Sequence, residues 1–536
     1  MNTPSKRPHF STTAQCKAWL ADTPLTNVPK AQSDLLQQLN LLNLEALPTT
    51  ERLAILELLR KPILLVQREA ARRFAGRALP LAATEQAAFE ATHALWQSLQ
   101  VGYRHCLLAA LEDGGAADAA LPIARALGIM ADSQFDTYRA GYQPGPEHWR
   151  VLHELFAAAE RLGVVDHEVS DPTRMGRTPF PLRAAYAEAL LLHMTSPHEL
   201  PLRHLAWVGN WARRWSPKLL ISATPPALDM KAIPLCVDLT SSEPAGYRPL
   251  RGNGARWLDT SALRASLRKR ITQLDAGAEP VTLQLGSDCV QPACGILLKQ
   301  TYRRWCKGGA VRDHERQTTM GKCEVICGVE GVHYYVSGRK PFKQPGYASD
   351  DTLRREREEI ATFGRIHDRP QDGFSRQQGF QVEQWQVVEE WKLHNESATG
   401  VHVSLPASQV RARVSQGQLV ALRPEGAQAP LLGQVRWVTM SVDGMLNIGL
   451  LIVPGRPQAI AVSAPDIENL GERYRRGFLL PAVASLNTPA TVVIPSGWFK
   501  SRRELDIYVD RPQRLTLLQL IERGADFDRA TYQDLG

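Results

Sequence analysis

The hydrophobic period changes along this chain, and that change limits what it can fold into. From about residue 29 to 220, apolar residues recur every three or four positions. Beyond about residue 385 they alternate, one in and one out. A helical face needs the first period and a half-buried strand the second, so one fold type cannot serve both halves. The 536 residues also exceed what a single core organises, and roughly three or four domains are expected. The expected fold class is multidomain: an all-α N-terminal domain, a small α+β middle domain, then an antiparallel β-barrel followed by further β structure.

The helical part is placed at 1–220. Thr50 is the expected cap of Glu51 to Arg60, where Leu53, Ile55, Leu56 and Leu59 fall on one face and Lys61-Pro62 marks the stop. Similar segments run over 87–112, 116–127, 147–162 and 182–194. No fixed repeat period joins them, which argues against a solenoid. The α+β domain is placed at 230–340. It has a strand over Pro234 to Leu239 and an amphipathic basic helix over Thr260 to Leu274. Glu324 to Gly328 and Val332 to Val336 are expected to be strands joined by Val329-Glu330-Gly331. Pro341, Pro345 and Gly346 indicate a linker. The barrel is placed at 352–456 and a β-rich extension at 457–536, and the segment from Thr352 to the C-terminus is expected to fold alone. In the barrel, Leu446, Ile448, Leu450 and Ile452 alternate behind Asp443-Gly444, a strong hairpin signal.

Net charge is +8, with both signs interleaved. That suits an anionic ligand, but no basic stripe of the kind that binds nucleic acid is present, so no nucleic-acid partner is expected. The nearest to one is the helix Leu263 to Ile271 with Arg264, Arg268, Lys269 and Arg270. No apolar run reaches about 18 residues, and the basic N-terminus lacks the apolar stretch of a secretory signal, so a cytoplasmic location is expected. Of eight cysteines, Cys289, Cys294, Cys306, Cys323 and Cys327 lie close together without a CxxC pair. Zinc binding is one reading of them. Reduced thiols packed as small core residues is the other, favoured by the strand-like run between Cys323 and Cys327. No P-loop, HExxH, GxSxG or strand-linked GxGxxG occurs, so no enzyme and no cofactor or metal is expected.

Two short motifs carry the chemistry. Arg365-Ile366-His367-Asp368-Arg369 is an RxxxR. Asn395-Glu396-Ser397-Ala398-Thr399-Gly400 is an NxSxxG, with 25 residues between the two motifs. An arginine fork grips phosphate bidentately or takes the O6/N7 edge of guanine. Asn395 has both donors and acceptors for a base edge, Ser397 can meet phosphate or base, and Gly400 removes a Cβ where turn and ligand come close. Without a ligand, the same residues read as a solvated charged stretch and an ordinary turn.

In this order and spacing, ahead of alternating strands and of Leu432-Gly433-Gln434-Val435-Arg436-Trp437, the motifs resemble the PilZ domain. The resemblance covers about 363–455. It implies a six-stranded barrel that binds cyclic di-GMP through Arg365, Arg369, Asn395, Ser397 and Gly400. Arg376 is an alternative second arginine, since it lies nearer the following strand, and Asp368 is a competing partner for Arg369. The implied function is that of a cytoplasmic receptor that changes domain arrangement on binding and signals to a protein partner through the helical domain, in motility, adhesion or biofilm control. The alternative is a PilZ-like barrel without ligand, acting as a structural interaction module.

Overall fold

The computed structural model describes residues 7–112, 115–174, 179–225, 233–308, 317–345, 388–467 and 473–535. The chain forms two compact units, 1–77 with 81–312, and 78–80 with 313–536.

The first unit begins with α1 (Thr13–Asp22), α2 (Val28–Leu44), α3 (Thr49–Ala70), α4 (Ala83–Glu112), α5 (Ala116–Arg139), α6 (Pro146–Arg161), α7 (Arg183–Met194) and α8 (Leu202–Trp215). The Thr12 hydroxyl accepts from the Gln15 amide to start α1, and the Asn27 side chain from the Lys30 amide to start α2. In α3 the buried stripe runs Ile55, Leu56, Leu59, Ile63 and Val66. Full burial of each such side chain contributes about 1.5–3 kcal/mol. The stripe continues across Pro62, and so does the helix. One lost hydrogen bond at the proline is outweighed by packing on both sides of it. The expected stop at Lys61-Pro62 is therefore corrected, and Thr50 lies inside the helix, with Pro48 at the cap position.

Between α6 and α7 the short strands β1 (Glu168–Val169) and β2 (Phe180–Pro181) pair. The α+β stretch follows. It has β3 (Leu220–Ser222), β4 (Leu235–Asp238), β5 (Gly246–Tyr247) and β6 (Ala255–Asp259), ordered β3-β6-β4-β5, with α9 (Ser261–Asp275) and α10 (Ala293–Cys306). It has no core of its own. Leu263, Leu298 and Trp305 belong to the same apolar cluster as Leu35, Leu99, Leu190 and Trp211. Ahead of α10, Cys289 and Cys294 form a disulfide, against the expectation of reduced thiols throughout. The turn brings their Cα atoms to 5.4 Å, inside bridging range.

Charges inside this unit are compensated. Arg60 meets Asp171 at 2.7 Å, Arg125 meets Glu57 at 2.8 Å, and Glu188 takes both Arg174 and Arg213 at 2.7 Å. The neighbouring histidines have no such help. Burial pushes His193 and His198 down to about 4, and His148 to about 3. Among the described residues no helix is long and apolar enough to cross a membrane.

Among the described residues the second unit is antiparallel β structure around one short α-helix. Six strands close into a first barrel: β7 (Gln317–Cys327), β8 (Glu389–Glu396), β9 (Gly400–Pro406), β10 (Leu419–Pro424), β11 (Leu431–Met440) and β12 (Met445–Ile452), in the order β10-β11-β12-β9-β8-β7. Alternation fills it. Trp391, Leu393, Val401, Val403, Leu405, Leu446, Ile448 and Leu450 are all buried. The hairpin at Asp443-Gly444 is where the sequence places it, but positive φ occurs only at Gly444, so the turn is type I followed by one left-handed residue.

Two features depart from the sequence reading. The strand β7 lies upstream of residue 352, so the barrel does not fit within 352–456. Residues Val332 to Val336 are not a strand but part of helix α11 (Val329–Val336), packed against both β10 and β14 (Arg475–Leu480). Their β-branched and aromatic side chains yield to tertiary packing. The C-terminal extension is itself a closed barrel: β13 (Gln458–Ser463), β14, β15 (Thr491–Pro495), β16 (Glu504–Tyr508), β17 (Pro512–Arg523) and β18 (Phe527–Asp534), ordered β13-β14-β15-β18-β17-β16. Ile326, Val332, Leu419, Leu432, Phe478, Val493 and Phe527 form one apolar cluster at the seam of the two barrels.

Candidate functional site

The NxSxxG sequence makes the turn between β8 and β9. The Ser397 amide donates to the Gly400 carbonyl at 2.8 Å, and the Gly400 amide donates back to the Ser397 hydroxyl at 3.1 Å. Ser397 therefore spends its side chain on closing the turn. At Gly400 an added Cβ would stand 3.4 Å from the Leu450 carbonyl of the neighbouring strand, an ordinary contact, so the turn by itself does not demand glycine there.

A bulge in β8 sets what lies beside this turn. Leu393 pairs with Val403 and Asn395 with His402, leaving His394 as the extra residue. The bulge turns His394 and Asn395 to the outer face of the barrel together. The His394 imidazole stacks on that of His402, centroids 4.7 Å apart, and reaches the Ser404 hydroxyl at 2.7 Å. His402 in turn meets the Asn395 amide at 3.4 Å, the Asn447 side chain at 3.2 Å and the Trp437 ring at 5.1 Å. Burial, with Lys392 adding to it, holds the His394 pKa below its ordinary value. That direction favours the neutral imidazole in its bond with Ser404.

A second bulge, between Val435 and Trp437, has the same effect on β11. Val435 is buried, while Trp437 turns outward across Gly449. The expected alternation would have put both on one face. The result is an aromatic surface of His394, His402 and Trp437 bordered by the amides of Asn395 and Asn447. Such a surface can stack a planar base, at about 1–3 kcal/mol per base, and bond its edge.

The expected site residues divide accordingly. Asn395, Ser397 and Gly400 are brought together at one end of the first barrel. Arg365, Arg369 and Arg376 lie outside the described residues. His394, His402, Trp437 and Asn447 were not foreseen: His402 and Asn447 alternate outward on β9 and β12, but the bulges beside His394 and Trp437 that complete the surface leave no sequence period to read.

Comparison with known proteins bears on both ends of the chain. Residues 14–226 match the family model of the N-terminal domain of the cyclic-di-GMP receptor FimW. Residues 461–535 match that of the FimW C-terminal β-barrel domain. These are the helical half of the first unit and most of the second barrel, and the first barrel lies between them. Over 549 aligned residues the chain is 25% identical to the cyclic-di-GMP receptor FimW of Pseudomonas aeruginosa, covering 95% of this chain and 88% of that protein. In both terminal domains, and in the order in which they occur, the chain is similar to FimW.

Proposed function

We propose that this chain is a receptor for cyclic di-GMP, not an enzyme, and that the ligand lies on the outer face of the first barrel. The observation that carries the reading is the Asn395–Gly400 turn, set at the end of a closed six-stranded barrel beside the His402–Trp437 surface. Similarity to a receptor of that name supports it. The ligand brings two guanines and two phosphodiester charges. Trp437 and His402 offer a stacking surface, Asn395 a base-edge partner, and the arginines Arg365 and Arg369, or Arg376 in place of the latter, the phosphate and guanine grip. In this reading the first barrel is a PilZ-like domain. The output is a contact between the helical domain and a protein partner in the cytoplasm, in control of motility, adhesion or biofilm formation.

Titration calorimetry of the whole chain with cyclic di-GMP, with GTP and cyclic AMP as controls, tests the reading. Binding of cyclic di-GMP that is weakened by Asn395→Ala is the expected result. Absence of binding, or equal response to all three nucleotides, overturns it.

A further inference from the structure

A second feature of the first barrel is independent of the turn. Between β7, the loop from β10 to β11 and the end of α11 lies a cavity of about 340 Å3, lined among others by Glu324, Tyr335, Arg339, Arg423 and Arg456. Arg423 is committed, since its Nε and Nη2 both meet Glu324, at 2.8 and 2.6 Å. Among the described residues Arg339 and Arg456 are in no ion pair, and both are exposed. The cavity wall therefore carries two cations in excess.

The position of Arg339 is also costly. It follows Gly338 in the left-handed region, with φ of 65°, where glycine or asparagine is favoured. Its amide bonds the Tyr334 carbonyl at 2.8 Å, and Ser337 ties the same turn to Tyr334 and Lys340. The turn thereby fixes the guanidinium 5.8 Å from the Tyr335 ring at the cavity wall. A strained non-glycine residue whose guanidinium meets the Tyr335 ring but no carboxylate among the described residues points to a role toward an anionic ligand.

We propose that this cleft is an anion site that takes a phosphoryl group, bonded by Arg339 and Arg456, with the Arg423–Glu324 pair fixed behind it. Two sources share that chemistry: a further molecule of the cyclic dinucleotide, whose involvement rests on the reading above, and a mononucleotide. The test is calorimetry on the full chain with pyrophosphate, GTP and cyclic di-GMP. The variants are Arg339→Gly, which leaves a backbone that glycine adopts readily, and Arg456→Ala. Each arginine removed is expected to weaken pyrophosphate binding by about tenfold or more. Asn395→Ala should leave it unchanged. A second equivalent of cyclic di-GMP lost in the double variant identifies the dinucleotide as the source, and loss of GTP binding alone identifies a mononucleotide. Loss of cyclic di-GMP binding at Asn395 but not in the cleft variants, with no pyrophosphate or GTP binding by the unaltered chain, overturns the proposal. So does a double variant that binds every probe as the unaltered chain does. Retained pyrophosphate binding in a chain that ignores cyclic di-GMP upholds this site while sinking the receptor reading.

Discussion

The indole of Trp437 occupies the space in which a side chain on Gly449 would stand. Glycine on β12 is thus what allows the tryptophan to lie against the outer face of the barrel. Gly449→Ala is expected to push the indole away. Forcing extra volume into a packed contact costs about 1–3 kcal/mol. Tryptophan fluorescence and a melting curve would register that change. Affinity for cyclic di-GMP should fall with it, and unchanged affinity would remove Trp437 from the stacking surface.

For the motif residues the expected losses are larger. Hydrogen bonds to charged groups contribute about 1.5–3 kcal/mol each, so Arg369→Ala should weaken cyclic di-GMP binding at least tenfold or so. Arg369→Lys should restore only part, because an ammonium cannot reproduce the fork. If calorimetry shows the loss at Arg376→Ala instead, the second arginine of the grip is Arg376.

The buried histidines of the first unit make its stability depend on pH. His148, His193 and His198 have folded values of about 3, 4 and 4, against about 6.5 in an unfolded chain. Above about pH 6.5 both states are neutral and the stability is complete. As pH falls from there toward 4, only the unfolded state takes up protons. Each histidine then removes about 1.4 kcal/mol per pH unit. The melting temperature of the helical signal in circular dichroism should therefore drop between pH 7 and 5. A flat profile there would mean that the charged imidazoles are accommodated.

Glu188 holds two arginines at once, and its side chain is 6% exposed. Glu188→Ala leaves buried Arg174 without a counter-ion and Arg213 with Asp132 alone. Removing one partner of a buried pair costs about 3–5 kcal/mol. Urea denaturation should show the midpoint falling by a corresponding amount, with the slope unchanged.

The topology predicts where the second unit can be cut. A fragment beginning at Thr352 lacks β7, which pairs with both β8 and β10. It should show no cooperative melting. A fragment beginning at Asp313 keeps every described strand of both barrels and should melt as one unit. Cooperative folding of the shorter fragment would mean that β7 is dispensable.

Much of this architecture was legible in the sequence, and the exceptions share a cause. Helices with an apolar stripe and the alternating strand β12 declare themselves, because local period and burial agree. The turn at Asn395 to Gly400 was legible too, since its residues have few other uses in that order. Strand β7 was not. It is closed into the barrel by β10, about a hundred residues later, and nothing local marks such a pairing. Pro62 and the helix over Val332 to Val336 show packing overriding propensity. The outward turn of His394 and Trp437 depends on two single-residue bulges, which shift the faces without changing composition.

The apolar seam between the barrels also bears on how such a protein can diverge. Phe478, Val493 and Phe527 from one barrel and Leu419, Leu432 and Ile326 from the other cover each other, with Val332 of α11 between them. A recombination breakpoint between Val453 and Gln458 would separate the barrels along their shared core and give each a greasy, aggregation-prone face. Breakpoints ahead of β7 leave that seam whole. Exchange of modules between relatives should therefore carry the two barrels as a single inherited block, and the substitutions that accumulate at the seam should do so in matched pairs across it.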